Sequence, residues 1–219
     1  MILNLKKPSG ITSHDAVNKI RNLTGEARVG HGGTLDPFAE GVLVIGVGRE
    51  STKKLHQILK GTDKEYLATL ELGKTSTTSD PEGEIKISAK NQMLTSLTDE
   101  SIKKVLKDFI GEVEQTPPAY SAIKINGVPA YKLARRGITP TLAPRKVLIK
   151  ELELLEFIPP LVKIRTVVSA GTYIRSLAED IGKILGVGAY LKELTRTRVG
   201  EYTLEQSRTL EELQEKYAK

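Results

Sequence analysis

The sequence predicts an α+β fold built on a mixed, largely antiparallel sheet flanked by helices. Three observations carry that prediction. Apolar residues recur at a period of two in some segments and near 3.6 in others. The two kinds of segment are interleaved along the chain, with no internal repeat, low-complexity tract or dividing linker. At 219 residues the chain is long enough to bury a sizeable core, so a single domain over residues 1–219 is expected.

Ser13 is placed to cap a helix that carries Ala16, Val17 and Ile20 on one face. Val42 to Val47 is an unbroken apolar run between Gly41 and Gly48, as expected of a buried strand. Ser51 to Leu59 predicts a short helix turning Leu55, Ile58 and Leu59 inward. Lys64 to Leu72 predicts a strand with Tyr66, Ala68, Leu70 and Leu72 on one face. Asp80-Pro81-Glu82-Gly83 is a turn. Ile102, Val105, Leu106, Phe109 and Ile110 mark one face of a helix that Gly111 can end. Tyr120 to Ile125 reads as a strand entering an Asn126-Gly127 turn, and Ala130 to Arg136 as a short helix closed by Gly137. Val147 to Phe157 and Leu161 to Ser169 predict two strands joined at Pro159-Pro160. Ile174 to Leu185 is helical, Ala189 to Leu194 a strand, and Leu210 to Tyr217 a last helix.

Composition narrows the function classes. There is no cysteine, which excludes disulfides, thiolate zinc sites and thiol catalysis and makes a cytoplasmic address the expectation. No apolar run approaches the roughly 18 residues of a membrane span, and the N-terminus lacks the order of a signal peptide. The net charge of +6 favours a polyanionic partner. The charge is concentrated. Residues 116–150 hold seven cations (Lys124, Lys132, Arg135, Arg136, Arg145, Lys146 and Lys150) and no Asp or Glu. With Tyr120 and Tyr131 interleaved, the stretch reads either as a solvated basic loop or as an arm that grips phosphates and stacks on bases.

The most unusual segment runs from Gly30 to Gly41, where four glycines surround His31 and Asp36 directly before the buried strand. Glycine permits positive φ and close backbone approach, so such a loop can hold a carboxylate at the bottom of a cleft. It lacks the Gly-Lys-Ser/Thr ending of a phosphate loop. Taken alone, Asp36-Pro37 is a turn starter as readily as a catalytic group. His14, His31 and His56 have no metal-binding spacing, and no serine sits in a Gly-x-Ser-x-Gly elbow. A second cluster, Ser169 to Leu177, places Tyr173 and Arg175 where a strand gives way to a helix. It reads as a helix entry capped by Thr172 or as an anion-favouring site.

Together these segments resemble the TruB family of tRNA pseudouridine synthases. The matching pieces follow the family's order: Lys7 to Ser13, Val29 to Gly41 with Leu35-Asp36-Pro37, and Asp63-Lys64-Glu65-Tyr66. Then come Leu72 to Asp80, Pro118 to Lys124, Gly171 to Arg175, and Gly186 to Leu194. The resemblance implies the pseudouridine-synthase fold, no metal, no organic cofactor, and uridine 55 in the T loop of tRNA as substrate. The reaction breaks the glycosidic bond, rotates the uracil and rejoins ribose to C5, after the base is flipped from its stack.

The resemblance also implies residue roles. Asp36 is the essential carboxylate, either attacking C1′ or removing the 2′ proton. Arg175, its natural partner, and Tyr66 are the other catalytic residues implied; Tyr66 lies against the flipped base and helps proton transfer at C5. Tyr173 and Leu194 line the uracil pocket. His31 contacts the RNA, and Lys7, a basic residue near the active-site loop, is expected to bind substrate. Residues 116–150 fall where the family carries an RNA-clamping thumb, so Lys124, Lys132, Arg135, Arg136, Arg145 and Lys146 are expected to bind RNA. The sequence departs from many relatives at Gly32 and Phe38, and by two extra residues between Asp36 and Tyr66. It is also expected to lack a C-terminal RNA-binding domain of PUA type. No protein partner is implied, and a monomer is expected. Two alternatives stay open: a non-catalytic tRNA-binding or folding module, and the same reaction on T-loop-like hairpins of messenger or ribosomal RNA.

Overall fold

A computed structural model describes residues 1–217, leaving out the side chains of His56 and Asn91. The chain forms two compact units, residues 1–67 with 193–219 and residues 68–192. The first unit carries β1 (Ile2–Lys7), α1 (Ser13–Thr24), β2 (Val29–His31), β3 (Glu40–Val47), α2 (Arg49–Leu59) and the start of β4 (Lys64–Leu72). The second continues with β5 (Lys74–Ser76), β6 (Ile85–Ile87), α3 (Asn91–Thr95), α4 (Asp99–Asp108), β7 (Gly111–Gln115), β8 (Lys124–Ile125) and β9 (Val128–Pro129). Next come α5 (Ala130–Ala134), β10 (Arg145–Ile158), β11 (Leu161–Val168) and α6 (Ile174–Ile184). The chain re-enters the first unit along β12 (Ala189–Val199) and closes with β13 (Tyr202–Thr203) and α7 (Leu210–Tyr217).

In the first unit β3 is central. It pairs antiparallel with β1 and β2 and parallel with β12. Its unbroken apolar run is explained by what covers it. Leu43 and Ile45 join Ala16, Val17, Ile20, Leu210 and Leu213 in one core cluster, while Val42 and Val44 join Leu55 and Val199 in another. Neither side of the strand meets water, so alternation would serve nothing. Each such aliphatic side chain contributes about 1.5–3 kcal/mol of burial, and Ile45→Ala would cost roughly 2–5 kcal/mol with its cavity.

In the second unit the strand order is β4-β11-β10-β7, with β10 antiparallel to both neighbours. Buried Ile102 and Leu106 of α4 and Leu177, Ala178 and Ile181 of α6 are fully or nearly fully withdrawn from solvent, as are Ile149, Val162 and Ile164. Residues 116–144 carry only the small β8–β9 hairpin about Asn126-Gly127 and the one-turn helix α5.

Several local expectations are corrected. The cap of α1 is Thr12, which forms a capping box with Asp15; Ser13 is buried instead. Ile58 is exposed, because α2 lies on its strand through Leu55. Tyr120 to Ser121 is not strand, and only Lys124–Ile125 pairs. Gly111 opens β7 rather than ending α4, whose cap is Phe109. Tyr173, not Thr172, occupies the cap position of α6. β12 runs on past Leu194 to Val199.

Candidate active site

Asp36 stands on the loop between β2 and β3, where Ala39 N–H donates to the Asp36 carbonyl and closes a tight turn. Asp at the first position and Pro37 at the second suit that turn, so turn chemistry and a functional carboxylate coincide in one residue. The carboxylate is partly exposed.

Side chains hold this loop from two directions. From β1, Lys7 is fully withdrawn from solvent and donates from Nζ to the carbonyls of Pro8, Ile11 and Pro37 at 2.8, 2.8 and 3.3 Å. Ser13 gives and takes a hydrogen bond with the backbone of Leu35, both 2.8 Å, and Ser9 Oγ donates to the Phe38 carbonyl. From β12, Arg196 is 1% exposed and donates to the carbonyls of Val42, Thr34 and Gly33 at 2.7, 3.3 and 3.2 Å. Three carbonyls around one guanidinium satisfy a charge that burial would otherwise penalise. Gly41 makes the approach of β12 feasible. It has φ +107°, and a Cβ there would lie 2.3 Å from the Arg196 carbonyl oxygen.

Lys7 was expected to touch substrate. Its ammonium donates to three backbone carbonyls, an arrangement that fixes the Asp36 loop. Arg196 was missed, because the sequence reading ended the strand at Leu194. Its signal was the alternation that puts Leu194 and Arg196 on one face of a strand.

The remaining expected residues of the first unit lie on β2, β4 and β12. Tyr66 and Leu194 are each 6% exposed. His31 is half-buried, and among the described residues its Nδ1 has no hydrogen-bond partner. Burial, with the nearby charges of Arg196 and His14, pushes the His31 ring below its usual pKa and so towards neutrality.

In the second unit, Arg175 is 4% exposed. It pairs with Asp80 at 3.2 Å and donates to the carbonyls of Thr78 and Tyr120 at 3.1 and 3.0 Å. Tyr173 is clamped by the amide of Gln115, which accepts from its N–H at 2.8 Å and donates to its carbonyl at 3.0 Å. The guanidinium of Arg145 lies over the Tyr173 ring and donates to the Gly171 carbonyl.

The basic arm divides in two. Lys124, Lys132, Arg135 and Arg136 are exposed, with Arg135 over the ring of Tyr131. Arg145 and Lys146 belong to β10, where Lys146 pairs with Glu112 of β7 at 2.7 Å. The stretch is free of acids in sequence but not in space, because β7 brings Glu112 and Glu114 alongside β10. Among the described residues no group of His, Asp and Glu gathers to hold a metal, and no helix is long and apolar enough to cross a membrane.

An order of motifs and a fold can still be shared by distant families, so family profiles decide. The TruB family pseudouridylate synthase N-terminal domain matches residues 21–174, and the tRNA pseudouridylate synthase B C-terminal domain matches residues 175–219. The chain belongs to the TruB family of pseudouridylate synthases. Family membership makes it an isomerase. It is 46% identical over 206 residues to tRNA pseudouridine synthase B of Dehalococcoides mccartyi (strain CBDB1), covering 94% of this chain and 67% of that protein. The Parabacteroides distasonis protein of the same name is 46% identical over 218 residues, covering 97% of this chain and 91% of its own length. Among solved structures, a chain of a Cbf5-Nop10-Gar1 complex superposes with a TM-score of 0.76 at 34% identity. That match covers 99% of this chain and 54% of the other, so this TruB-family chain spans about half the length of that protein.

Proposed function

We propose that this chain isomerises uridine 55 in the T loop of tRNA to pseudouridine, with Asp36 as the essential carboxylate acting on a flipped nucleotide. The observation that carries the reading is the Asp36 loop: a partly exposed carboxylate on a turn fixed from β1 by Lys7 and from β12 by Arg196. Fixing the loop backbone this way orients a reacting group before substrate arrives. Two relatives named tRNA pseudouridine synthase B, at 46% identity, support tRNA as the substrate class. Tyr66 and Leu194 supply buried surface for the flipped base, and neutral His31 suits contact with RNA bases. The roles that family resemblance gives to Tyr173 and Arg175 belong to the same reading. The exposed cations Lys124, Lys132, Arg135 and Arg136 supply phosphate contacts.

The test is tritium release from tRNA labelled at uridine C5, with wild type and Asp36→Asn. Release by wild type alone, with tRNA binding kept by the variant, is expected. Release by both would mean another carboxylate carries the reaction. Binding without release by either would leave a tRNA-binding module. Turnover on hairpins unrelated to the T loop would contradict T-loop selectivity.

A further inference from the structure

Lys64 opens β4 two residues before Tyr66, so the two side chains share a face of the strand, about 7 Å apart along it. The end of the Lys64 side chain reaches the Asp36 loop. A Cβ on Gly33 would lie 3.6 Å from Lys64 Cε and 3.7 Å from Nζ, with Arg196 Nη1 at 3.9 Å. Gly33 has φ +95° and no side chain, which leaves this space open. Gly33 and Thr34 are both exposed, so a solute can reach the spot.

The ammonium there is unusual in what surrounds it. Among the described residues no carboxylate or carbonyl pairs with it, and the charge that acts on it is the like charge of Arg196. Arg196 is already satisfied by three carbonyls. Burial, with Arg196, pulls the Lys64 pKa down to about 8. A half-buried cation held against another cation is a cost to the fold. Elsewhere the same chain pairs Lys74, Lys146 and Lys192 with glutamates. An anion is therefore the missing partner.

We infer that Lys64 binds a phosphodiester of the RNA, the one that adjoins the nucleotide lying against Tyr66. The inference rests on the reading of the chain as an RNA uridine isomerase. A base drawn out of its stack carries its own phosphates with it, and a cation one strand step from the base-contacting tyrosine meets one of them. Bound there, the phosphate neutralises Lys64 and anchors the flipped nucleotide at the Asp36 loop.

The test uses the full chain with Lys64→Gln and Lys64→Met as independent neutral variants and Lys64→Arg as a charged one. A T-arm hairpin is bound across a salt series. Each lost phosphate contact lowers the log–log slope by about 0.7 on single-stranded RNA, so both neutral variants should show that drop and bind about tenfold more weakly at low salt. Lys64→Arg should keep the wild-type slope. Melting temperatures of the neutral variants should equal or exceed that of wild type. Hairpins carrying one neutral methylphosphonate at a time locate the contact. Wild type should lose affinity at a linkage next to the target uridine, and the neutral variants should lose nothing further there. An unchanged salt slope in the neutral variants, or identical methylphosphonate profiles with wild type at every linkage, overturns the inference. In wild type, 13C-methylated Lys64 should titrate at higher pH when the hairpin is bound; an unmoved titration overturns it without recourse to a variant. Wild-type tritium release on the same hairpin separates the two readings, since its absence would strike the proposed function and leave the phosphate contact to be judged by the slope.

Discussion

The guanidinium of Arg145 lies over the ring of Tyr173, 4.9 Å from its centroid. The same guanidinium donates to the carbonyl of Gly171, two residues before Tyr173. Gln115, 2% exposed, holds the Tyr173 backbone from the other side. Tyr173 is thus fixed through both backbone and ring, by residues from β10 and β7. Arg145 was expected to grip RNA; in the structure its guanidinium is engaged by the Tyr173 ring and the Gly171 carbonyl.

That relationship predicts how Arg145 differs from a phosphate contact. Arg145→Ala removes a cation–π contact worth about 0.5–2 kcal/mol. The rate of tritium release should fall by roughly 2- to 30-fold, while the salt slope of RNA binding stays at the wild-type value. A slope reduced by a full phosphate contact, with the rate unchanged, would return Arg145 to the RNA interface.

Arg196 is expected to matter for stability as much as for the site. Arg196→Met leaves the carbonyls of Gly33, Thr34 and Val42 without their donor. Each buried carbonyl left without its donor costs about 1–3 kcal/mol, so a loss of about 3 kcal/mol or more is expected, which for a chain of this size lowers Tm by at least roughly 6 °C. Arg196→Lys should recover little, because one ammonium cannot reproduce the planar fork. Thermal melts of the two variants check this, and a lysine variant as stable as wild type would contradict the geometry.

Glu71 should govern part of the acid limit of the fold. It is 6% exposed, receives Tyr190 Oη at 2.8 Å, and pairs with Lys74 at 2.6 Å and Lys192 at 3.1 Å. Burial opposes its charge, but these partners outweigh burial and hold its pKa at about 2, while burial and Glu71 push Tyr190 up to about 12. The folded pKa lies below the ordinary 4.5 of an unfolded glutamate. The stabilisation is therefore complete above about pH 4.5 and is lost as pH falls towards 2, amounting to about 3 kcal/mol. Urea melts between pH 2 and 7 should show Glu71→Gln less stable at neutral pH, with the gap to wild type closing through that window.

Much of the fold was legible because burial leaves a period in the sequence. β4, β10, β11, α4, α6 and α7 carry alternation or a 3.6-residue stripe, and β3 carries an unbroken apolar run. β7 was hidden because it is an edge strand whose outward Glu112 and Glu114 look like loop chemistry. β12 was cut short because Arg196 and Arg198 follow Leu194, and a sequence does not distinguish an arginine that snorkels from one that is swallowed. The Asp36 loop announced itself through its glycines. Its supports did not. The guanidinium of Arg196, the charge of Lys64 and the tie from Lys7 to Pro37 are each defined by long-range neighbours, and local pattern records nothing of those.

The basic arm gives the sharpest contrast between charge counted along the chain and charge available in space. Arg135 and Arg136 are exposed beyond the end of α5, and Arg135 keeps its guanidinium over Tyr131, 5.5 Å from the ring centroid, where both can meet a base or a phosphate. Lys146 is as exposed but already paired with Glu112. Surface pairs of this kind contribute little to stability, yet the carboxylate cancels the field that Lys146 would offer to RNA. Neutralising Arg135 and Arg136 together should therefore lower the salt slope of tRNA binding by about 1.4, whereas Lys146→Gln should leave it unchanged. Glu112→Gln frees Lys146 and should raise the slope instead. Binding isotherms at four or more salt concentrations decide between these cases. A double arginine variant with the wild-type slope would remove residues 116–144 from the RNA interface.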